Sequence, residues 1–200
     1  MRVCVYAICK NEIDRINAWL EAVKEADEIV VLDTGSNDGS WELLKAANIK
    51  AYQKIITPWR FDTARNTALE LIPRDCDICI PLDFDMSPKS GFIQFIKDNW
   101  EDNLAILEVG ALFAKTGKFV HKFAHRRSSA YWVYPVYEQV HAVGDHKIID
   151  DLWLEIDWEP KLEHKAYLPL VNLGLREHPD DAYLLKSKEI ILRELEQMEG

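Results

Sequence analysis

Asp83 and Asp85 stand one residue apart at the end of the apolar run Ile78 to Leu82. Two hard oxygen donors at that spacing suit a divalent cation, and a cation suits a phosphorylated ligand. The plainer reading is a strand-to-helix turn in which one acid caps a helix that Ser87 and Pro88 begin. Two other polar stretches end apolar runs in the same way. Val3 to Cys9 passes into Lys10-Asn11-Glu12, and Ile29 to Leu32 passes into Asp33-Thr34-Gly35-Ser36-Asn37-Asp38-Gly39-Ser40. Glu12 and Asp33 can accept hydrogen bonds from a nucleobase and a ribose, and Asp83 and Asp85 can reach ribose and a metal bridging a diphosphate. Gly35 and Gly39 permit a tight turn and a close backbone approach to a ligand. Each acid alone is also a candidate helix cap, Asp38 above all. Neither Gly-x-Gly-x-x-Gly nor a phosphate loop ending Gly-Lys-Ser/Thr occurs. The negative charge of a pyrophosphate therefore needs another partner, which a metal on the two aspartates supplies.

The elements that must position these groups alternate. A helix with Ile13, Ile16, Leu20 and Val23 on one face, capped by Asn11, follows the first strand. A helix from Ser40 to Ala47 follows the second strand, and a short strand covers Ala51 to Ile56. Asp62 or Thr63 caps a helix that Pro73 stops, before the strand bearing the two aspartates and a helix with Phe92, Phe95, Ile96 and Trp100. Such β-α alternation implies a doubly wound, mostly parallel sheet, whose ligands sit beyond the carboxyl ends of the strands. The pattern then becomes strand-rich. Leu104 to Ala114 and Lys118 to His125 form a hairpin through Lys115-Thr116-Gly117, and an aromatic loop spans Ser128 to Tyr137. Another strand-like stretch lies between His146 and Trp158. From Tyr167 the chain is helical in two pieces, broken at His178-Pro179-Asp180-Asp181.

Two hundred residues allow one substantial domain with a small appendage. The net charge of −10, with acids and bases interleaved, disfavours nucleic acid and anionic lipid as partners. Cys76 and Cys79 form a Cys-x-x-Cys, but positions three apart on a strand face opposite ways, as do Cys4 and Cys9. Neither a zinc site nor a disulfide framework is expected, and thiols in apolar strands point to a reducing compartment. No apolar run is long enough to cross a bilayer, and a strand begins at the N-terminus, so a cytoplasmic, soluble protein is predicted.

The segments Ile8-Cys9-Lys10-Asn11-Glu12, Val31 to Ser40, Phe61-Asp62-Thr63-Ala64-Arg65-Asn66 and Leu82-Asp83-Phe84-Asp85 resemble, in order and spacing, the motifs of glycosyltransferase family 2. The likeness runs from Val3 to about Pro88 and more loosely to about Tyr167. It implies a GT-A (nucleotide-diphospho-sugar transferase) fold, a mostly parallel twisted sheet flanked by helices, over residues 1–166. A C-terminal helical pair similar to one tetratricopeptide unit occupies 167–200. The activity implied is a metal-dependent, inverting transfer of a sugar from a nucleoside-diphosphate sugar, a UDP-sugar first among them, to an acceptor hydroxyl. Cys9, Asn11, Glu12, Asp33, Gly35, Ser36, Arg65, Asn66 and Asp83 would form the donor pocket. Mn2+ or Mg2+ would sit on Asp83 and Asp85, with Asp85 the direct ligand and His164, in a stretch similar to the family's His-x-Gly-Tyr segment, completing the shell.

Trp132-Val133-Tyr134-Pro135-Val136-Tyr137-Glu138 resembles the family's aromatic loop carrying the acceptor-side acid, with Tyr137 where a His is usual. Glu138 is thus the first candidate base, ahead of Glu108 and Asp145, and Tyr131, Trp132, Tyr134 and Tyr137 can stack on sugars or close the core. The acceptor is a glycan, a peptide or protein, or a small molecule. The final helix needs a cover, supplied by the catalytic domain or by a second copy of the chain. Two other functions compete. A nucleotidyltransferase of related fold would carry a Gly-rich basic loop where Lys10-Asn11-Glu12 stands, and a sugar- or protein-binding module would not need all the acids.

Overall fold

The unbroken apolar character of the first strand follows from its burial on both faces. In the computed structural model, which describes residues 1–113, 117–157 and 164–199, β1 (Val3–Cys9) sends alternate side chains into two cores. Val3, Val5, Ala7 and Cys9 pack with Ile16, Trp19 and Val23 of α1 (Ile13–Val23), Leu44 of α2 (Ser40–Ala46), and Phe92 and Ile96 of α4 (Phe92–Asn99). Cys4 and Tyr6 pack on the other side with Ala68 and Leu69 of α3 (Phe61–Leu71) and with Ile72. A strand covered on both faces has no reason to alternate polar and apolar residues.

Parallel pairing joins β1 to β2 (Glu28–Asp33) and to β4 (Ile78–Pro81), and joins β2 to β3 (Lys50–Gln53). The sheet continues into β6 (Leu104–Phe113), β7 (Gly117–Arg126), β10 (Asp145–Ile156) and β5 (Met86–Pro88), in the order β3-β2-β1-β4-β7-β6-β10-β5. β7 runs antiparallel to β4 and β6, and β10 lies parallel to β6. The turn at 114–116 lies outside the described residues. A second, two-stranded sheet pairs β8 (Ala130–Val133) with β9 (Gln139–Ala142). The C-terminal helices are α5 (Leu168–Glu177) and α6 (Ala182–Glu199).

One expectation fails at the opening motif. Ser87 and Pro88 do not begin a helix: they lie in β5, at the edge of the sheet, paired with Glu155 and Leu154 of β10. Proline lacks the N–H that an inner strand must donate, so an edge is where it is tolerated. The helix begins only after Gly91, whose φ of 79° is costly for any other residue. β5 matters for the site because it fixes the far side of the Asp83–Asp85 turn. The Met86 N–H donates to the Asp83 carbonyl at 3.0 Å, and the Asp157 N–H to the Asp85 carbonyl at 2.8 Å.

All four cysteines are buried free thiols, and the β1–β4 register places Cys4 beside Cys79. Among the described residues, no helix is long and apolar enough to cross a membrane.

Gly110, in the middle of β6, marks where β10 crowds closest. A Cβ there would lie 2.8 Å from the Asp151 carbonyl oxygen and 2.9 Å from Lys118 Cε. The backbone contact cannot rotate away, so Gly110→Ala is expected to cost roughly 1–3 kcal/mol, read as a lowered urea midpoint with unchanged slope.

Candidate active site

The β2–β1–β4 strand ends bring the three polar stretches to one edge. Asp33 is fully buried there, and its Oδ1 accepts from the Gly35 and Ser36 N–H groups at 3.0 and 3.1 Å and from Gln53 Nε2 at 2.9 Å. Wrapping the chain around one carboxylate oxygen requires the φ of 108° at Gly35. Asp33 Oδ2 is buried without a partner, an acceptor atom that the protein itself leaves unsatisfied.

The neighbouring loop is laced to this one. The Thr34 N–H and hydroxyl both donate to the Cys9 carbonyl, at 2.8 and 3.0 Å. The Asn11 N–H donates to Ser36 Oγ at 2.9 Å, and Asn11 Oδ1 accepts from the Asn37 N–H at 2.9 Å. Asn11 therefore does not cap α1. It adopts φ 58° and reaches across to the second loop, a left-handed conformation that Asn tolerates better than most residues. The orphan donors at the start of α1 are met from the same loop, Glu12 N–H by Ser40 Oγ at 2.8 Å and Ile13 N–H by Asp38 Oδ2 at 3.2 Å. Asp38 Oδ1 meanwhile accepts from Ser40 N–H, so one acid serves the first turns of both helices.

In the Asp83-Phe84-Asp85 turn, Phe84 is buried against Trp19, with ring centroids 4.7 Å apart. Trp19 also donates its indole N–H to the Leu82 carbonyl at 3.0 Å. The apolar residue between the two acids is thus the anchor of the turn. Asp83 receives both terminal nitrogens of Arg65, each at 2.6 Å. The Arg65 Nε–H donates to Glu138 Oε1 at 3.0 Å, and the guanidinium carbon lies 5.2 Å from the Trp132 ring centroid. Arg65 is only 6% exposed. Burial opposes its charge, but Asp83 first and then Glu138 more than compensate, and its pKa is raised. Asn66 pairs with the Trp132 backbone in both directions, at 2.8 and 2.9 Å, which ties α3 to β8.

Asp85 has no such partner. Its Oδ1 is buried and unsatisfied, and burial, followed by the adjacent Asp83 charge, pushes the carboxyl up to about 6. Among the described residues no group of three His, Cys, Asp or Glu stands ready to hold a metal. His164 begins a 3-10 turn over His164–Tyr167, but its side chain lies outside the described residues.

All four candidate sugar-stacking rings meet a neighbour within the protein. Trp132 lies against Arg65, Tyr134 stacks on Tyr183 at 5.7 Å, and Tyr137 lies 6.0 Å from Tyr167. Tyr131 lies 5.8 Å from His141 and is 50% exposed, the most open of the four. Sequence reasoning missed His121 on β7, which burial pushes down to about 4 while Asp83 pulls it upward. It missed as well the Tyr6–His125 pair, hydrogen-bonded at 2.8 Å inside the sheet. Nothing in a strand pattern distinguishes such histidines from surface ones.

The sequence matches the family described as glycosyl transferase family 2 over residues 4–161. The chain belongs to that family. Three of the motifs that carried the resemblance lie at the carboxyl edge of β2, β1 and β4, and the fourth opens α3. Solved structures sharing the fold include S. aureus TarS, 14% identical with a TM-score of 0.60, over 97% of this chain and 42% of that one. TarS residues 1–349 in complex with UDP-GlcNAc is 13% identical with a TM-score of 0.62, over 96% of this chain and 72% of that one. Glucosyl-3-phosphoglycerate synthase from Mycobacterium tuberculosis, in complex with Mn2+ and UDP-glucose, is 14% identical with a TM-score of 0.60, over 86% and 77%. The family 2 chain thus spans less than half of that first TarS chain. No curated protein matches the sequence.

The raised pKa of Asp85 carries a stability consequence. A carboxyl near 3.8 when unfolded and about 6 when folded binds its proton more tightly in the native state. Its contribution to stability is complete below the lower value and is lost as pH rises through the upper one. In EDTA, Asp85→Asn is expected to gain on the wild type as pH rises from 4 to 7, by up to about 3 kcal/mol. Urea melts at both ends of that range measure it, and a difference independent of pH would contradict the assignment.

Proposed function

We propose that this family 2 chain transfers a sugar from a nucleoside-diphosphate sugar to an acceptor hydroxyl, with inversion and with a divalent cation. The observation that carries the reading is the pair of buried, unpartnered acceptors, Asp33 Oδ2 and Asp85 Oδ1. Asp33 ends β2 and Asp85 lies in the turn after β4, the two strands that flank β1. An acceptor kept from water without a donor is a standing cost, removed when a ligand supplies one. In this reading Asp33 and Glu12 receive the nucleoside, while Cys9, Asn11, Gly35 and Ser36 shape its pocket. Arg65 and Asn66 hold the Asp83 turn in place. The donor we assign is a UDP-sugar, because proteins of this fold were solved with UDP-GlcNAc and with Mn2+ and UDP-glucose.

The residues fit Mn2+ or Mg2+ unequally. Asp85 offers an unoccupied, buried oxygen, which suits a hard cation, whereas Asp83 has both oxygens on Arg65. Asp85 is therefore the ligand we assign first, with Asp83 joining as Arg65 yields and His164 as the third donor. Bound there, the cation would supply neutralisation of the charge gathering on the leaving diphosphate. Glu138 takes the acceptor proton on Oε2, its Oε1 being held by Arg65. Residues 1–166 form the catalytic domain and 167–200 a helical extension, in a protein we place in the cytoplasm. The acceptor is a glycan, a peptide or protein, or a small molecule.

Thermal melts with UDP-glucose and UDP-GlcNAc, with and without Mn2+, test the donor half. A ligand at about one hundred times its Kd adds roughly 2.7 kcal/mol, and Asp85→Ala should lose the Mn2+-dependent part of the shift, each variant being compared with its own ligand-free melt. A Mn2+-dependent shift of full size in Asp85→Ala would end the cation assignment. Glu138→Gln is expected to bind UDP as the wild type does and to hydrolyse or transfer the donor about 10²–10⁴-fold more slowly. Undiminished turnover would move the base elsewhere.

A further inference from the structure

The acid on the acceptor side sits in a segment whose other residues are all held by something else. Tyr134 donates its hydroxyl to Asp181 Oδ2 at 2.6 Å and stacks on Tyr183 at 5.7 Å. The Pro135 carbonyl accepts from the Phe61 N–H at 2.9 Å. Val136 is 3% exposed, in a small core with Val171 of α5 and Ile191 of α6. Gln139 donates to the Tyr183 hydroxyl at 3.1 Å. Glu138 alone turns the other way, to Arg65.

The backbone through this segment is one that needs holding. Tyr134 and Tyr137 have φ of 77° and 54°, a region that L side chains rarely adopt and that persists only where surrounding contacts over-determine it. Apart from the Phe61 bond to Pro135, those contacts come from the C-terminal helices and the residues that join them. Asp181 is the hinge of the arrangement, because its Oδ1 accepts the Leu184 N–H at 2.9 Å in the first turn of α6 while its Oδ2 takes Tyr134. The cap of a helix and the grip on the loop are the same carboxylate. The bond keeps the proton on Tyr134, whose hydroxyl is pushed up to about 12, first by Asp181. Arg60, which precedes α3, also pairs with Glu177 at the end of α5. Tyr134 and Gln139, at the two ends of the segment, are thus fastened to Asp181 and Tyr183.

We propose that Asp181 and Tyr183, acting through Tyr134 and Gln139, are positioning residues for Glu138. The C-terminal helices are then a working part of the acceptor side of the site. This rests on the reading of Glu138 as the base. Residues 134–139 are fixed on their outer side by α5 and α6 and on their inner side by Arg65. Transfer depends on both supports, whereas donor binding, built from β1, β2 and β4, depends on neither α5 nor α6.

The test uses the full chain with Tyr134→Phe and, as an independent removal of the second contact, Tyr183→Phe. Both keep the aromatic ring and delete one hydroxyl. Mn2+-dependent hydrolysis of UDP-glucose and UDP-GlcNAc is measured alongside UDP affinity by calorimetry and amide hydrogen exchange over 134–139. A displaced catalytic group costs on the order of 10²-fold, so kcat is expected to fall about 10- to 100-fold in Tyr134→Phe. Donor KM and UDP Kd should stay within about twofold, and exchange in the segment should quicken. Unchanged exchange overturns the proposal whether or not either donor is turned over. A kcat equal to wild type in both variants, beside an inactive Glu138→Gln, overturns the clamp and leaves the base standing. Loss of UDP affinity in step with kcat also overturns it, as general damage to the fold. Full activity in Glu138→Gln removes the base itself, and the proposal with it.

Discussion

The guanidinium of Arg65 is the constraint on which the site depends. It is buried, and a buried charge is tolerated only when paired and fully hydrogen-bonded. Three of its nitrogens are satisfied by two carboxylates that come from different parts of the fold, Asp83 after β4 and Glu138 before β9. Its face is covered by Trp132 of β8. Removing Asp83 would leave both terminal nitrogens without their partner and removing Glu138 would leave Nε without one, so the turn at β4, the start of α3 and the β8–β9 connection are held in one geometry. The support continues inward. His125 Nδ1 lies 3.1 Å from the Arg126 carbonyl, which can only accept, so Nδ1 carries the proton and Nε2 is the acceptor. Tyr6 must then donate to Nε2, leaving its own oxygen to accept the Trp132 indole N–H at 2.8 Å. Burial lowers the His125 pKa to about 4, which keeps the ring in the neutral form this chain of donors requires.

Asp85 titrates high first because it is buried and then because Asp83 is charged beside it, with Glu12 adding to the shift and Arg15 opposing it. Asp83 and Glu138 share the one charge of Arg65, and a divalent cation at Asp85 would offset the negative charge left there. Under the proposed function, the ligand-free arrangement is thus not a miniature of the loaded one. Asp83 would then answer to the bound cation as well as to Arg65, which also holds Glu138.

The strand-end loops that the proposed function assigns to the donor were legible in the sequence because each of their parts is local. An apolar run ending in Asp33-Thr34-Gly35-Ser36 already implies a buried strand, a carboxylate at its end and a backbone wrapped around it. Phe84 between two acids likewise implies one residue inward and two outward. What could not be read was pairing between distant segments. Asn11 looks like a cap until Asp38 is found to supply that bond from the next loop. Ser87-Pro88 reads as a helix start because nothing nearby reveals β10 as its partner. Trp132, Tyr134 and Tyr137 read as sugar platforms because exposed aromatics and packed ones have the same sequence signature. The structure gives all three to neighbouring side chains instead.

That division between local and distant follows from the two kinds of support in the molecule. The nucleotide edge rests on parallel strands whose register is fixed by burial on both faces, since a slip of one residue would exchange the two cores. The loop bearing Glu138 has no ladder of its own between Tyr134 and Glu138 and contains two residues in the left-handed region. Its shape is set by what presses on it, Arg65 from within and α5 and α6 from without. A segment of that kind can change with its supports while the strands beneath stay fixed. Under the proposed function, an acceptor side could therefore be rebuilt by altering the helices that lean on it, while the strand-end site stays as it is.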